Sequence, residues 1–553
     1  MSKILMEPTE LQQTIIEYDG NTVILASPGS GKTFVLSEKI KKVLRKESML
    51  PYQGVLAISF TRKASANLKQ RTLEDGTFPK NSVFGTIDSF CLKQIILPFG
   101  NYLFGYPQKD IECIDFKDLT SEQHSKVLWI NDFANYNSIT NEQISLLSDL
   151  FRQGYVLIKS VELLALHLVL HCKACQKYIK ARFKYVFIDE YQDIDTYFHS
   201  IFLSMLTLGC VGVVVGDVNQ SIFGFAHKSS KYLKELNTSD NFKSFTLNKN
   251  FRCKLPIVNY SNRLLDPNYE VIDTTEKGVY LIRVQGDEKS IAKFIDAKIN
   301  SICEKFTIEK LNTIAILAKN RKYTLRIINE NLTTKHRIIE DTPLDNDLNP
   351  KSQLYIHLLR YFFDTTISFF SIVNNFIEYD NLSLYEKHCL IEQKNAIRAL
   401  SEQPIDNLIN PFKKISNILL PNIIEGDSIN KLKEVLSNKT YYDSYKPINN
   451  DEIQLMTLHK AKGLEFDIVF HLNLCENELP HKTIRNQDWE QDLNLHYVGI
   501  TRAKKVCYLI RGTQRTYKEM IFDAKDSEFL TLNGLPEMRN DYNLDANLNI
   551  IKG

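Results

Sequence analysis

Ala26-Ser27-Pro28-Gly29-Ser30-Gly31-Lys32-Thr33 stands between an apolar, β-branched run, Thr22–Ala26, and a stretch of helical period, Thr33–Leu44. A strand that feeds a glycine-rich turn and then a helix is the setting a P-loop requires. The glycines let successive backbone N–H groups turn inward around phosphate oxygens at a helix N-terminus. In such a cradle, built from Ser27, Pro28, Gly29, Ser30 and Gly31, Lys32 reaches the β- and γ-phosphates and the Thr33 hydroxyl coordinates Mg2+. The octet begins with Ala26 where the general pattern has Gly. A strand–turn–helix junction that merely ends in Gly-Lys-Thr is the alternative reading.

The next informative stretch is Tyr185-Val186-Phe187-Ile188-Asp189-Glu190, an apolar strand that ends on two carboxylates. Ligands of open parallel sheets bind at the carboxyl edge, where this strand delivers them. Asp189 suits the hydration shell of Mg2+, and Glu190 suits a general base for an attacking water. Alone, Asp-Glu after a strand is usually a solvated strand end; beside a P-loop it reads as the other half of a nucleotide site.

Strand, loop and helix alternate around both stretches. Val55–Phe60, Val83–Thr86, Val211–Val215, Gly278–Val284, Thr313–Leu317, Ile453–Met456, Ile468–Leu472 and Val506–Ile510 read as strands. The order implies an α/β fold with two parallel-sheet cores, each interrupted by a mostly helical insertion. The expected segments are 1–98 and 182–246 for the first core around an insertion at 99–181, then 247–363 and 448–553 for the second around an insertion at 364–447. No strand is expected between Phe99 and Ala181.

Length and composition agree with this. A chain of 553 residues, 43% apolar and 24% charged, is long enough for several cored domains and excludes a disordered, collagen-like or small disulfide-stapled protein. A formal charge of +2 argues against bulk electrostatic coating of nucleic acid or membrane, though not against a locally basic groove. Ten scattered cysteines resemble reduced thiols. Met1–Glu10 lacks a secretory pattern, and the apolar runs Val161–Leu170 and Leu206–Val215 are too short to span a bilayer. The expectation is a cytoplasmic protein with no membrane partner.

The order of motifs resembles superfamily 1 helicases of the UvrD/Rep type over nearly the whole chain. The residues that carry the resemblance are Phe60-Thr61-Arg62-Lys63-Ala64-Ser65-Ala66, Gly85-Thr86-Ile87-Asp88-Ser89-Phe90, Asp189-Glu190-Tyr191-Gln192-Asp193, Gly216-Asp217-Val218-Asn219-Gln220-Ser221-Ile222-Phe223, Leu247-Asn248-Lys249-Asn250-Phe251-Arg252, Met456-Thr457-Leu458-His459-Lys460-Ala461-Lys462-Gly463-Leu464-Glu465-Phe466 and Tyr497-Val498-Gly499-Ile500-Thr501-Arg502-Ala503. The resemblance implies two RecA-like cores that sandwich ATP and Mg2+, with a single strand of DNA, or a duplex with a single-stranded end, across their top. It implies that Gln12 reads the adenine edge, with the adjacent Gln13 leaving a second register open. Phe251 would stack on the adenine, Phe34 would cover its other face and Glu465 would contact the ribose. Gln220 would sense the γ-phosphate, and Arg252 and Arg502, from the second core, would serve as arginine fingers. A planar guanidinium grips phosphate oxygens bidentately, which explains Arg at both positions. On the DNA side, Phe60, Phe223 and Phe225 would stack bases, with a packed core residue as the alternative for each. Thr61 belongs to the first DNA-contact motif; Thr86, Thr457 and His459 would touch the sugar-phosphate backbone or relay between sites.

Some positions depart from the family. Asp88 replaces a frequent His, Ala226-His227 stands where Arg-Gly is usual, and Leu493-Asn494 replaces a basic pair before Tyr497. Two rival signals lie elsewhere. His167, His171, Cys172 and Cys175 have side chains that bind zinc, although their segment reads as a packed helix. Lys173, Lys177, Lys180, Arg182 and Lys184 form a basic run, either a solvated face or a phosphate contact. The compact length and His336-Arg337-Ile338-Ile339-Glu340-Asp341-Thr342-Pro343 resemble the helicase-like subunit of Gabija-type anti-phage systems. That resemblance implies a partner nuclease of the OLD-like, topoisomerase-primase kind in a hetero-oligomer. The expected activity is an ATP-dependent single-stranded-DNA translocase or helicase of 3′→5′ polarity; a stand-alone repair helicase and an ATP-gated DNA sensor that does not unwind remain open.

Overall fold

The computed structural model describes residues 7–551 except 133–134, 223–229, 348, 378, 401–404, 422, 424–425, 482–485 and 519. The first core is a six-stranded sheet in the order Val83–Gly85, Gly54–Ile58, Phe183–Ile188, Val211–Gly216, Thr22–Ala26, Lys243–Leu247, with every neighbouring pair parallel. Successive side chains of a strand point to opposite faces. Val23, Leu56, Val186 and Val214 therefore enter one buried cluster, while Ile24, Ala57, Phe187 and Val213 enter another. Both faces are covered, which is why these strands read as unbroken apolar runs.

The second core has eight strands in the order His336–Ile338, Ile453–Thr457, Ile314–Ala318, Phe466–Leu472, Ala503–Gly512, Val279–Val284, Asn540–Leu544, Ile550–Ile551. All pairs are parallel except the last. Leu281, Leu317, Val469 and Leu509 line one face, and Ile282, Ile316, Phe470 and Ile510 the other. The fold is thus two RecA-like α/β cores.

Both insertions differ from the expectation. In the first, Glu112–Ile114 and Tyr155–Leu157 pair in parallel where no strand is expected; three-residue strands are too short to leave a period in the sequence. Its helices share a cluster with the first sheet, Phe104, Leu150, Phe151 and Leu164 joining Val23 and Leu56, so its described residues have no separate core. The second insertion has its own cluster, running from Leu344 to Tyr445. Helix Pro350–Phe363 buries Leu354, Tyr355, Leu358 and Leu359 in that cluster, so the helical unit begins upstream of the expected 364 boundary. Helical periodicity reports that a face is apolar, not which neighbour covers it. Among the described residues, no helix is long and apolar enough to cross a membrane.

Candidate active site in the cleft between the cores

The parallel arrangement places the segments after Ala26, Ile58, Gly85, Ile188, Gly216 and Leu247 at one carboxyl edge of the first sheet. The P-loop is the turn after the Thr22–Ala26 strand. Gly29 and Gly31 have φ of 72° and 86°, a left-handed backbone open to glycine, and Gly31 caps helix Lys32–Leu44. A Cβ at Gly29 would also lie 2.7 Å from the Arg252 Cβ, and one at Gly31 would lie 2.8 Å from the Gln12 Nε2. The Ser30 hydroxyl is buried with no hydrogen-bond partner among the described residues, a donor left over for an anion such as phosphate.

Of the two adjacent glutamines, Gln12 faces the P-loop. Its Nε2 donates to the Ser30 carbonyl at 3.2 Å, and its Oε1 accepts from the Thr9 N–H at 3.0 Å within a capping box. Gln13 is exposed and bonds to Glu17. Lys39 donates to the Ile15 and Tyr18 carbonyls, tying the Gln12 helix to the P-loop helix. Phe34 is half-buried against the first-core cluster. Phe251 is 45% exposed beside the Lys249 ammonium, and its backbone N–H donates to the Gly29 carbonyl at 2.8 Å.

Asp189 and Glu190 are adjacent carboxylates in a dry site. Burial and the neighbouring Glu190 charge push the Asp189 carboxyl up from its ordinary range. Burial also opposes ionisation of Glu190, but Lys32, whose Nζ is 3.6 Å from Oε1, and Lys462 outweigh it and hold that carboxyl down. Among the described residues Asp189 has no ion-pair partner. A buried carboxylate with no direct ion pair, at the same sheet edge as the P-loop helix that Lys32 and Thr33 begin, supplies with the Thr33 hydroxyl oxygen donors of the kind Mg2+ takes.

From the second core, Arg502 and Arg252 enter the same cleft. Arg502 is 2% exposed; its Nη2 donates to the Gln220 Oε1 at 3.2 Å, and its Nε donates to the Val498 carbonyl at 3.1 Å. Burial and the nearby Arg252 lower it to about 10, which leaves it a cation at neutral pH. Arg252 pairs with Glu465 at 2.5 Å, and Lys504 pairs with the other carboxylate oxygen at 3.3 Å. Burial disfavours the Glu465 charge, yet Arg252 and Lys504 hold the carboxyl below its ordinary value. The Arg252 Nε is buried without a partner among the described residues, while Asn250 Oδ1 accepts the backbone N–H groups of Arg252 and Cys253 and fixes the turn.

Motif residues to which the sequence reading gave no role make further bonds at the cleft. Lys462 forms an ion pair with Asp193, both nearly fully buried, and donates to the Gln220 carbonyl at 2.6 Å. Gln192 and Asp217 join Glu190 to Gln220. Their motifs were legible, but their pairings were not: the Lys462 partners lie more than two hundred residues away, and Gln192 and Asp217 meet across two strands. Removing one member of a buried ion pair costs about 3–5 kcal/mol. Lys462→Met is therefore expected to lower the thermal unfolding midpoint clearly, and adding Asp193→Asn should restore most of the loss. Calorimetry of the two single variants and the double variant reads the coupling; strictly additive losses would refute it.

At the same sheet edge, Thr61 and Thr86 cap helices Arg62–Leu73 and Ile87–Phe90, accepting from the Ala64 and Ser89 N–H groups. Asp88 lies in the second of these helices. Phe60 is half-buried and Thr61 is exposed. The Thr457 hydroxyl accepts the Lys460 N–H at 3.3 Å. His459, whose ring burial pushes down from its ordinary value, hydrogen-bonds the Ile222 backbone. Asn494 donates to the Ser221 carbonyl at 3.2 Å, and the Ile222 side chain is buried in the second-core cluster. The departure at Leu493-Asn494 thus supplies one core residue and one clasp on the segment leading to Phe223. Phe223, Phe225, Ala226 and His227 lie outside the described residues.

The rival signals resolve differently. Tyr136 bonds both His167 and His171, at 2.7 and 2.9 Å, and Cys172 and Cys175 are buried in the first-core cluster. Among the described residues, no group of three or more His, Cys, Asp or Glu is placed to hold a metal ion. Lys173, Lys177, Lys180 and Lys184 are exposed, whereas Arg182 donates to Asn81 and Gln94.

Comparison with known proteins places these motifs in a wider group. Residues 8–151 and 114–240 match the model of the UvrD/REP helicase N-terminal domain, and residues 380–514 match that of the UvrD-like helicase C-terminal domain. The chain is similar to the Gabija protein GajB of Bacillus cereus (strain VD045), 27% identical over 525 residues that cover 91% of this chain and 95% of the relative. It is also similar to a probable DNA helicase II homolog of Mycoplasma genitalium, 24% identical over 89% of this chain and 82% of the relative. The ATP-dependent DNA helicase PcrA of Staphylococcus aureus (strain Mu50) is 21% identical over 92% of this chain and 83% of the relative.

Proposed function

Because the chain belongs to the UvrD-like DNA helicases, we propose that its inter-core cleft hydrolyses ATP to drive 3′→5′ movement along single-stranded DNA, in an anti-phage complex with an OLD-like nuclease. The observation that carries the motor reading is convergence. Lys32 and Glu190 come from one core and pair with each other; Arg252, Lys462 and Arg502 come from the other, and Lys462 and Arg502 bond directly to Asp193 and Gln220 of the first.

In this reading Ser30 and the P-loop N–H groups hold the phosphates and Lys32 neutralises charge on the transferring group. Thr33 and Asp189 would hold Mg2+, which when bound spreads positive charge over the phosphate oxygens. Glu190, kept ionised by Lys32 and Lys462, accepts a hydrogen bond from the attacking water and orients it. Because phosphoryl transfer is loose, orientation matters more here than base strength. Arg252 and Arg502 act only when the second core is in place, so hydrolysis follows cleft closure. Gln220 and the clasped Ser221-Ile222 segment carry that closure toward Phe223 and Phe225.

The defence assignment is supported by length and coverage. GajB is aligned over 95% of its length, the two helicases over 82–83% of theirs, so this chain has the compact extent of the former. Two measurements test the proposal. Tailed duplexes should be unwound from a 3′ tail and not from a 5′ tail; the opposite preference would overturn the polarity, and DNA-stimulated hydrolysis without strand separation would select the sensor reading. Co-expression with a neighbouring nuclease gene should give one complex by size-exclusion chromatography. Two separate peaks would favour a stand-alone helicase.

A further inference from the structure

We infer that Gln192 is a positioning residue, which aims the Glu190 carboxylate and links it, through Asp217 and Gln220, to the Arg502 finger of the other core. The inference rests on the ATPase reading above and adds a residue to it. Gln192 is fully buried, and its two amide atoms have different partners. Oε1 accepts the backbone N–H of Asp217 at 3.0 Å, and Nε2 donates to the Glu190 carboxylate. The amide orientation is forced: a backbone N–H only donates, so oxygen must face Asp217 and nitrogen must face Glu190.

The links continue across the cleft. Asp217 Oδ2 accepts from the Gln220 Nε2 at 2.8 Å, and the Gln220 Oε1 accepts from the Arg502 Nη2 at 3.2 Å. A hydrogen-bonded path thus runs from the water-orienting carboxylate to a guanidinium on the second core, with Gln192 and Gln220 as its two amides. Each amide donates at one end and accepts at the other, so a shift of Arg502 is felt at Glu190.

Two backbone features show that space is reserved for this amide. Gly216 ends the strand before Asp217, and a Cβ there would stand 2.6 Å from the Gln192 Oε1 and 2.7 Å from a Leu233 methyl. Glu190 has φ 56°, a left-handed conformation for a residue with a side chain, and the Gln192 bond is one of the contacts that hold it there.

The test uses the full chain and three variants. Gln192→Met keeps the length and apolar volume of the side chain without donor or acceptor. Gln192→Glu keeps the acceptor but sets a carboxylate against Glu190. Gly216→Ala pushes the native amide aside. Each is expected to lower DNA-stimulated kcat about 10²-fold, the cost of a misoriented catalytic group. In Gln192→Met, binding of a fluorescent ATP analogue and thermal stability should remain near those of the parent. Wild-type kcat in Gln192→Met would overturn the inference. So would joint loss of nucleotide binding, stability and kcat in both Gln192 variants, which would make Gln192 a packing residue. If the unmodified chain hydrolyses no more ATP than Lys32→Ala, the ATPase reading fails instead, and the two failures are distinguishable.

Discussion

Lys32→Ala is expected to abolish measurable DNA-stimulated ATP turnover, a loss of about 10³-fold or more. One missing donor to developing charge costs about 10²–10³ in rate, and this substitution removes more than one contribution. Lys32 opens the P-loop helix, and its ammonium lies 3.6 Å from the Glu190 carboxylate. Without it, Lys462, the Gln192 hydrogen bond and Arg502 are left to oppose the burial that works against the Glu190 charge, so the carboxyl moves back up. The same change thus weakens the phosphate clamp and the group that orients water. Lys32 is not part of an apolar cluster, so the variant should fold and keep its melting temperature. A coupled ATPase assay with saturating single-stranded DNA reads the result; robust residual turnover would refute the site.

The fold and the two halves of the cleft were readable for one physical reason. Short apolar runs followed at once by polar or glycine-rich turns are strands buried on both faces, with chemistry at their carboxyl ends. Thr22–Ala26 and Phe183–Ile188 have this form and carry the P-loop and the Asp-Glu pair. The strand Asn540–Leu544, polar and near a sheet edge, left no such run, and Glu112–Ile114 was too short to leave one. Helix Pro350–Phe363 was assigned to the second core because its pattern does not say that Ile415 and Leu432 cover it. At the site, motif spelling pointed to residues and their expected roles, but not to pairings. Lys462 with Asp193, and Gln192 with Asp217, are contacts of tertiary structure. Nor did spelling separate Gln12 from Gln13: both fit a helix, and only packing decides which one meets Ser30.

Arg252→Ala is expected to lower kcat by about 10³–10⁵, the range for a missing arginine finger, while ATP binding and folding persist. The lower end corresponds to about 4 kcal/mol of transition-state stabilisation. The fold should tolerate the change because, among the described residues, the Arg252 side chain has one ion pair, to the half-exposed Glu465. Arg502 differs. It is buried, bonded to Val498, Leu464, Thr501 and Gln220, and its loss should cost stability as well as rate. The pair of variants therefore separates chemistry from architecture: Arg252→Ala loses kcat alone, and Arg502→Ala loses kcat and melting temperature together. Arg252→Lys adds a further distinction. A lysine restores the charge near Glu465 but not the planar fork, and it leaves nothing at the position of the unpartnered Nε. If charge alone were the contribution, Arg252→Lys would recover most of the rate. If bidentate grip is required, it should stay close to Arg252→Ala while keeping the parent's affinity for a non-hydrolysed ATP analogue. Single-turnover hydrolysis with that binding measurement decides between them. Full activity of Arg252→Ala would mean that the second core contributes no finger from this position, and the link from cleft closure to hydrolysis would then rest on Arg502 alone.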